Sequence, residues 1–172
     1  MLSTIGYEGA PLEDFVRTLV ATNVEILVDI RERAQSRRKG FSKSALAARL
    51  AKAGIGYVHY RELGDPKAGR EAARAGKMSE FRRVYRNVLR RVAAIAAIDE
   101  IRALLKRKNA CLMCYERDYK DCHRKMVSDK IEKQTGRTTR HLKVFSFEQA
   151  TERSGRVRNS REGVAASQQQ LL

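Results

Sequence analysis

Two short apolar runs, Ile26-Leu27-Val28-Asp29-Ile30 and Cys111-Leu112-Met113-Cys114-Tyr115, constrain the fold more than anything else in the chain. Neither alternates polar with apolar residues, as a strand with one wet face does. A continuous run of this length fits a strand of a parallel sheet covered by helices on both sides. Weaker strand signals at 2–7, 55–59 and 140–145 are separated from these runs by helix-like stretches. Pro11 suits the first turn of a helix whose apolar face is Leu12, Phe15, Val16 and Leu19, with Glu13 and Asp14 at its positive end. Ser42 reads as the cap of a second helix carrying Leu46 and Leu50, with Gly54 after its end. Spacing predicts one long helix from about Ser79 to Leu105, with Phe81, Val84, Tyr85, Val88, Val92 and Ile95 on its apolar face. A last helix, about Cys122 to Gln134, is expected to be capped by Asp121 and ended by Gly136. Residues 64–78, glycine-rich and charged, read as a loop or a weak helix.

Strand–helix alternation of this kind predicts an α/β three-layer sandwich: a mostly parallel central sheet flanked by helices, occupying residues 1–148. Residues 149–172 turn polar and basic and are expected to form a disordered tail. The chain starts directly in a strand-like segment, so no leader peptide is expected, and no apolar stretch is long enough to suggest a membrane span.

In open parallel sheets ligands bind outside the carboxyl ends of the strands, so residues just after each strand signal become candidates. These are Gly6, Tyr7 and Glu8; Asp29 and Arg31, with the basic loop that holds Ser36, Arg37, Arg38 and Lys39; His59 and Glu62; Cys114 and Glu116; and the turn Cys122-His123-Arg124. The last sits at a predicted helix start, where free N–H groups favour anions and lower the pKa of a thiol. Glu116, His123, Cys122, Cys114 and Asp29 are the candidate catalytic groups. Gly6, Tyr7, Arg31, Ser36, Arg37, Lys43, His59 and Arg124 are the candidate substrate or anion contacts. Asp29-x-Arg31 reads equally as a structural ion pair.

Charge points to the class of ligand. The 172 residues hold 36 Lys and Arg against 20 Asp and Glu, a formal charge of +16. Such a field favours polyanions, so nucleic acid or a nucleotide is the expected partner and no membrane is expected. Arg82, Arg86 and Arg90 recur every fourth residue and, with Arg38, Lys39 and the tail residues Arg153, Arg156, Arg158 and Arg161, form the candidate nucleic-acid surface. A solvated face or an acidic partner protein fits the same stripe. Three clustered cysteines argue for reduced thiols and a cytoplasmic location.

Two further spacings bear on the chemistry. Cys111 and Arg117 have the Cys-x5-Arg spacing of thiol phosphatases, but Leu-Met-Cys-Tyr-Glu between them continues a strand and forms no nest of N–H groups. Cys111, Cys114, Cys122 and His123 suggest zinc, but residues 111 and 114 fall on opposite faces of a strand. Neither a metal nor a cofactor is therefore expected.

The motifs Thr4-Ile5-Gly6-Tyr7-Glu8-Gly9, Val28-Asp29-Ile30-Arg31, Ser36-Arg37 and Gly40-Phe41-Ser42-Lys43 resemble the bacterial and archaeal family of domain of unknown function 488. So do Gly54-Ile55-x-Tyr57-x-His59, Glu62-Leu63-Gly64 and Cys114-x-Glu116-x5-Cys122-His123-Arg124, in the same order, over about residues 3–145. Tyr115 stands where the family usually has Ala, and Asp118-Tyr119 where Asp-Pro is common. The resemblance implies a single α/β domain with no agreed activity. The residues it marks, with Phe41 added, largely coincide with those reached from strand ends.

Overall fold

The computed structural model describes residues 1–146; the expected tail, with its arginines, lies outside the described residues. Five strands, β1 (Leu2–Gly6), β2 (Ile26–Asp29), β3 (Gly56–His59), β4 (Ala110–Cys114) and β5 (Thr139–His141), form one all-parallel sheet in the order β3-β2-β4-β1-β5. Six α-helices cover it: α1 (Leu12–Ala21), α2 (Lys43–Ala51), α3 (Lys67–Arg74), α4 (Met78–Val88), α5 (Val92–Leu105) and α6 (His123–Thr135).

Strand side chains alternate between two cores, as a two-residue repeat requires. Ile26, Val28, Ala110 and Leu112 face α3 to α6, packing on Phe81, Tyr85, Ile98 and Ile131. Leu27, Cys111, Met113 and Ile5 face α1 and α2, packing on Phe15, Leu19, Leu46 and Leu50. Both faces of β2 and β4 are thus dry, which is why their sequences run apolar without alternation.

The connections open a crevice at one edge of the sheet. Chain leaving β2 passes through α2 to β3 on one face, whereas chain leaving the neighbouring strand β4 passes through α6 to β5 on the other. Adjacent strands that send their connections opposite ways leave a gap outside their carboxyl ends.

Several elements differ from expectation. The long helix is two helices, because Arg91 is extended (φ −69°, ψ 142°) and resets the helical phase. Ala94, Ala97, Ile98, Ile101 and Leu105 then face the core, and Val92 and Ile95, expected inside, are 85% and 41% exposed. Arg82 and Arg86 stay on α4, but Arg90 lies in the turn after it, so the arginine stripe is not one helix face. Residues 67–74 form a true helix whose Ala72 reaches the core. Cys122, not Asp121, is the N-cap residue of α6, while Gly136 takes the expected left-handed C-cap (φ 68°). Ser42 does occupy the expected N-cap position of α2, but its hydroxyl bonds the Ser36 carbonyl instead of a helix N–H and ties the basic loop to α2.

Candidate functional site

A cavity of ≈ 550 Å³ opens at the carboxyl ends of β1, β2 and β4. That is a common size for a small-molecule site. Its walls come from distant stretches of chain: Tyr7 after β1, the 31–38 loop after β2, Asp65 and α3, and Cys114 to Glu116 with His123 after β4. Buried Tyr7, Cys114 and His123 form its floor, and exposed Arg33, Arg37 and Arg74 its mouth.

The loop after β2 is fixed by a buried ion pair. Asp29 is fully buried and receives Nε and Nη2 of Arg31, at 2.9 Å and 2.6 Å, together with the Tyr57 hydroxyl at 2.6 Å. Arg31 Nη1 donates to the Tyr7 hydroxyl and the Phe41 carbonyl. Burial opposes the charge on this guanidinium, but Asp29 outweighs it and holds Arg31 firmly protonated. Asp29 is therefore not at hand for catalysis: both its oxygens are spent inside. Arg31 reaches the cavity wall with most of its donors already used.

Arg124, expected to grip an anion, is 1% exposed and does not line the cavity. It donates instead to the carbonyls of Glu116 and Arg117, clamping the turn after β4. Gly6 allows the close approach: a Cβ there would overlap the Glu116 carbonyl and lie 3.0 Å from Arg124 Nη1. His59 Nε2 bonds the Arg31 carbonyl at 2.8 Å, and His59, Lys43 and Lys39 all lie off the cavity wall. Ser36, Arg37 and Arg38 are on it.

The floor is a compact cluster. Cys114 Sγ donates to Glu116 Oε2 at 2.9 Å and Cys122 Sγ to the same oxygen at 3.2 Å. His123 Nδ1 stands 3.6 Å from Cys114 Sγ and 3.8 Å from Cys122 Sγ. The other ring nitrogen, Nε2, is 3.0 Å from the Ile30 carbonyl, which can only accept, so Nε2 carries a hydrogen and Nδ1 is the atom presented to the sulfurs. The Tyr85 ring tilts against His123 with centroids 5.2 Å apart. Burial pushes both thiols up, Cys122 well above the ordinary cysteine value, so they are neutral thiols and poor nucleophiles at neutral pH. Burial also pushes Glu116 up, but the thiol hydrogen bonds and the His123 ring outweigh it and hold the carboxylate ionised. Cys111 is absent from this group: it is fully buried in the core on the α1/α2 side. Glu116 completes the set of four instead, a role the cysteine spacing gave no hint of.

Asp65 is the group that strand-end reasoning missed. It lines the cavity, its Oδ1 is buried without a hydrogen-bond partner, and a Cβ at Gly69 would collide with that oxygen. Burial lifts its pKa to about 6 against the pull of His123 and Arg70. A carboxyl tuned toward neutrality inside a cleft is suited to proton transfer. The available signal was Gly64-Asp65-Pro66, a turn soon after the third strand and ahead of a proline-started helix. Arg33 belongs to the basic loop already expected after the second strand, whereas Gln35, Arg70 and Arg74 escaped notice; for Arg70 and Arg74 the cause is the same, since 64–78 read as loose chain.

Compared with known proteins, the chain matches a family model described as "Domain of unknown function DUF488" over residues 11–131. No curated protein and no solved structure matched it.

Proposed function

The chain belongs to the domain of unknown function 488 family, and on that premise we propose that its cavity takes a phosphate-bearing ligand, a nucleotide or a segment of nucleic acid, and acts on it as an enzyme. One observation carries this reading: Arg33, Arg37 and Arg74, which carry no side-chain hydrogen bond or ion pair among the described residues, share a cavity with the Cys114–Glu116–His123 floor and Asp65. Guanidinium groups free at a mouth suit phosphate oxygens, which they grip in pairs. Glu32 engages Arg70 and leaves the other three to the ligand. Asp65, poised near pH 6, then accepts or delivers the proton. Three free thiols suit a reducing, cytoplasmic compartment. Among the described residues no helix is long and apolar enough to cross a membrane.

The test is equilibrium binding of ATP and of a 5′-phosphorylated single-stranded oligonucleotide. Replacing Arg37 and Arg74 together by Ala removes two charge-assisted contacts, each about 1.5 kcal/mol or more, and weakens binding by roughly 100-fold. Asp65→Asn leaves affinity intact and removes turnover of the ligand that binds. Unchanged affinity in the double variant refutes the reading.

A second reading rests on Arg82, Arg86 and Arg90, exposed and without ion pairs among the described residues. In it the protein only tracks a nucleic-acid backbone. Loss of oligonucleotide binding on replacing these three, with Arg37→Ala/Arg74→Ala silent, favours that alternative; a steep fall of affinity with salt accompanies it.

A further inference from the structure

We propose that Cys114, Cys122, His123 and Glu116 form a binding site for a thiophilic divalent metal ion, Zn²⁺ above all, at the floor of the cavity. The four donor atoms, two Sγ, Nδ1 and a carboxylate oxygen, all lie within 4.8 Å of one another. Around a tetrahedral Zn²⁺ with bonds of ~2.0–2.3 Å, neighbouring donors stand about 3.3–3.8 Å apart. Three of the observed separations, 3.2, 3.6 and 3.8 Å, are already close to that spacing, and the 2.9 Å separation needs only a small opening.

The surroundings have the form such a site needs. His123 donates its other ring nitrogen to the Ile30 carbonyl, the arrangement that fixes the tautomer and aims the ligating nitrogen. Tyr85 packs on the ring and holds its plane. Cys122 and His123 sit at the start of α6 and Cys114 at the end of β4, so three of the four ligands are on rigid elements. The fourth, Glu116, is held by Arg124 through its own backbone carbonyl. No disulfide ties up either sulfur.

Charge is also accounted for. Two thiolates and a carboxylate around Zn²⁺ leave one net negative charge, placed inside a strongly basic protein. Binding displaces the protons held on the two sulfurs, so it releases acid. Cys114, His123 and Glu116 face the cavity and Cys122 does not line it, so the ion would border the space where a phosphate-bearing ligand is proposed to sit. Glu116 is the most accessible of the four donors and the one a ligand oxygen would displace.

The inference deepens the proposed function but is read without any nucleotide. The reduced, full-length protein is stripped with chelator, then titrated with Co²⁺ and Zn²⁺. The expected result is one equivalent bound per chain, a thiolate-to-cobalt charge-transfer band with tetrahedral d–d absorption, and proton release. Outer-shell changes alone cost 10–100-fold in affinity, so Cys122→Ser and His123→Gln, checked for native circular dichroism, should each weaken binding by more than about 100-fold. Cys111→Ala, in the opposite core, should keep both the band and the stoichiometry. Cobalt without a thiolate band, binding that survives Cys114→Ser/Cys122→Ser, or equal loss in Cys111→Ala would overturn the proposal. Arg37→Ala/Arg74→Ala separates the two readings: it should leave metal binding intact, and unchanged nucleotide affinity in that variant counts against the phosphate reading alone.

Discussion

Asp65→Asn should make the protein more stable at pH 8 and change nothing below pH 4. The folded state holds this carboxyl with one oxygen buried and unpaired, and burial lifts its pKa from 3.8 to about 6. His123 and Arg70 pull the other way, while Glu116 and Glu32 add to the rise. A folded-state pKa above the unfolded one means that stability is fully present below pH 3.8 and is lost as the pH rises through about 6. A rise of that size is worth ~3 kcal/mol, and water reaching the cavity side of the carboxyl screens this to about 1–2 kcal/mol. For a chain of this size that is an increase in Tm of roughly 3–6 °C at pH 8. Asn keeps the shape and removes the charge, so differential scanning calorimetry at pH 3.5, 5, 6.5 and 8 resolves the effect. The stabilisation should be absent at pH 3.5, grow between pH 4 and 6, and then level off. A variant less stable than the wild type at pH 8, or a difference flat across the series, would mean that ionised Asp65 does not strain the folded state. Gain in stability with loss of turnover is the expected signature of a strained functional group.

Gly6→Ala should cost about 1–3 kcal/mol by overpacking, because the new methyl overlaps the Glu116 carbonyl; chemical denaturation measures it, and an unaffected midpoint would show that the turn after β4 yields freely. Asp29→Asn leaves Arg31 buried beside a neutral amide and should lower stability by about 3–5 kcal/mol, seen as a large drop in Tm; a drop below about 1 kcal/mol would mean that the pair does not hold the loop. Val92→Lys, at a position 85% exposed, should change stability by less than about 0.5 kcal/mol, whereas a core position on one continuous helix would lose several; thermal melts distinguish the two.

Much of the fold was legible because β2 and β4 announce themselves: a run with no polar residue before its end has few homes other than a two-sided sheet. Strand-end logic then brought Tyr7, Arg31, Ser36, Arg37, Cys114, Glu116 and His123 to one cavity. What it left out was set by contacts distant in sequence. Val92 fitted the apolar stripe of α4, and only the extended Arg91 turns it to water. Arg124 looked like an anion grip because a helix start is open in general, yet Gly6 lets the Glu116 carbonyl come within its reach. Residues 64–78 lacked a periodic apolar face, since α3 buries little more than Gly69 and Ala72, so Asp65 and Arg74 stayed hidden. Cysteine spacing tied the zinc question to Cys111, and the paired thiols of Cys114 and Cys122 converge only through the turn that carries Glu116.

A phosphate-bearing ligand is proposed to bind in the crevice outside β1, β2 and β4. A crystal structure of the protein with a bound nucleotide tests it most directly. Phosphate oxygens should lie within hydrogen-bond distance of at least two of Arg33, Arg37 and Arg74, with the rest of the ligand directed toward Asp65 and the Cys114–Glu116–His123 floor. A nucleotide seated instead against Arg82 and Arg86 of α4, with the cavity holding only water, would contradict it.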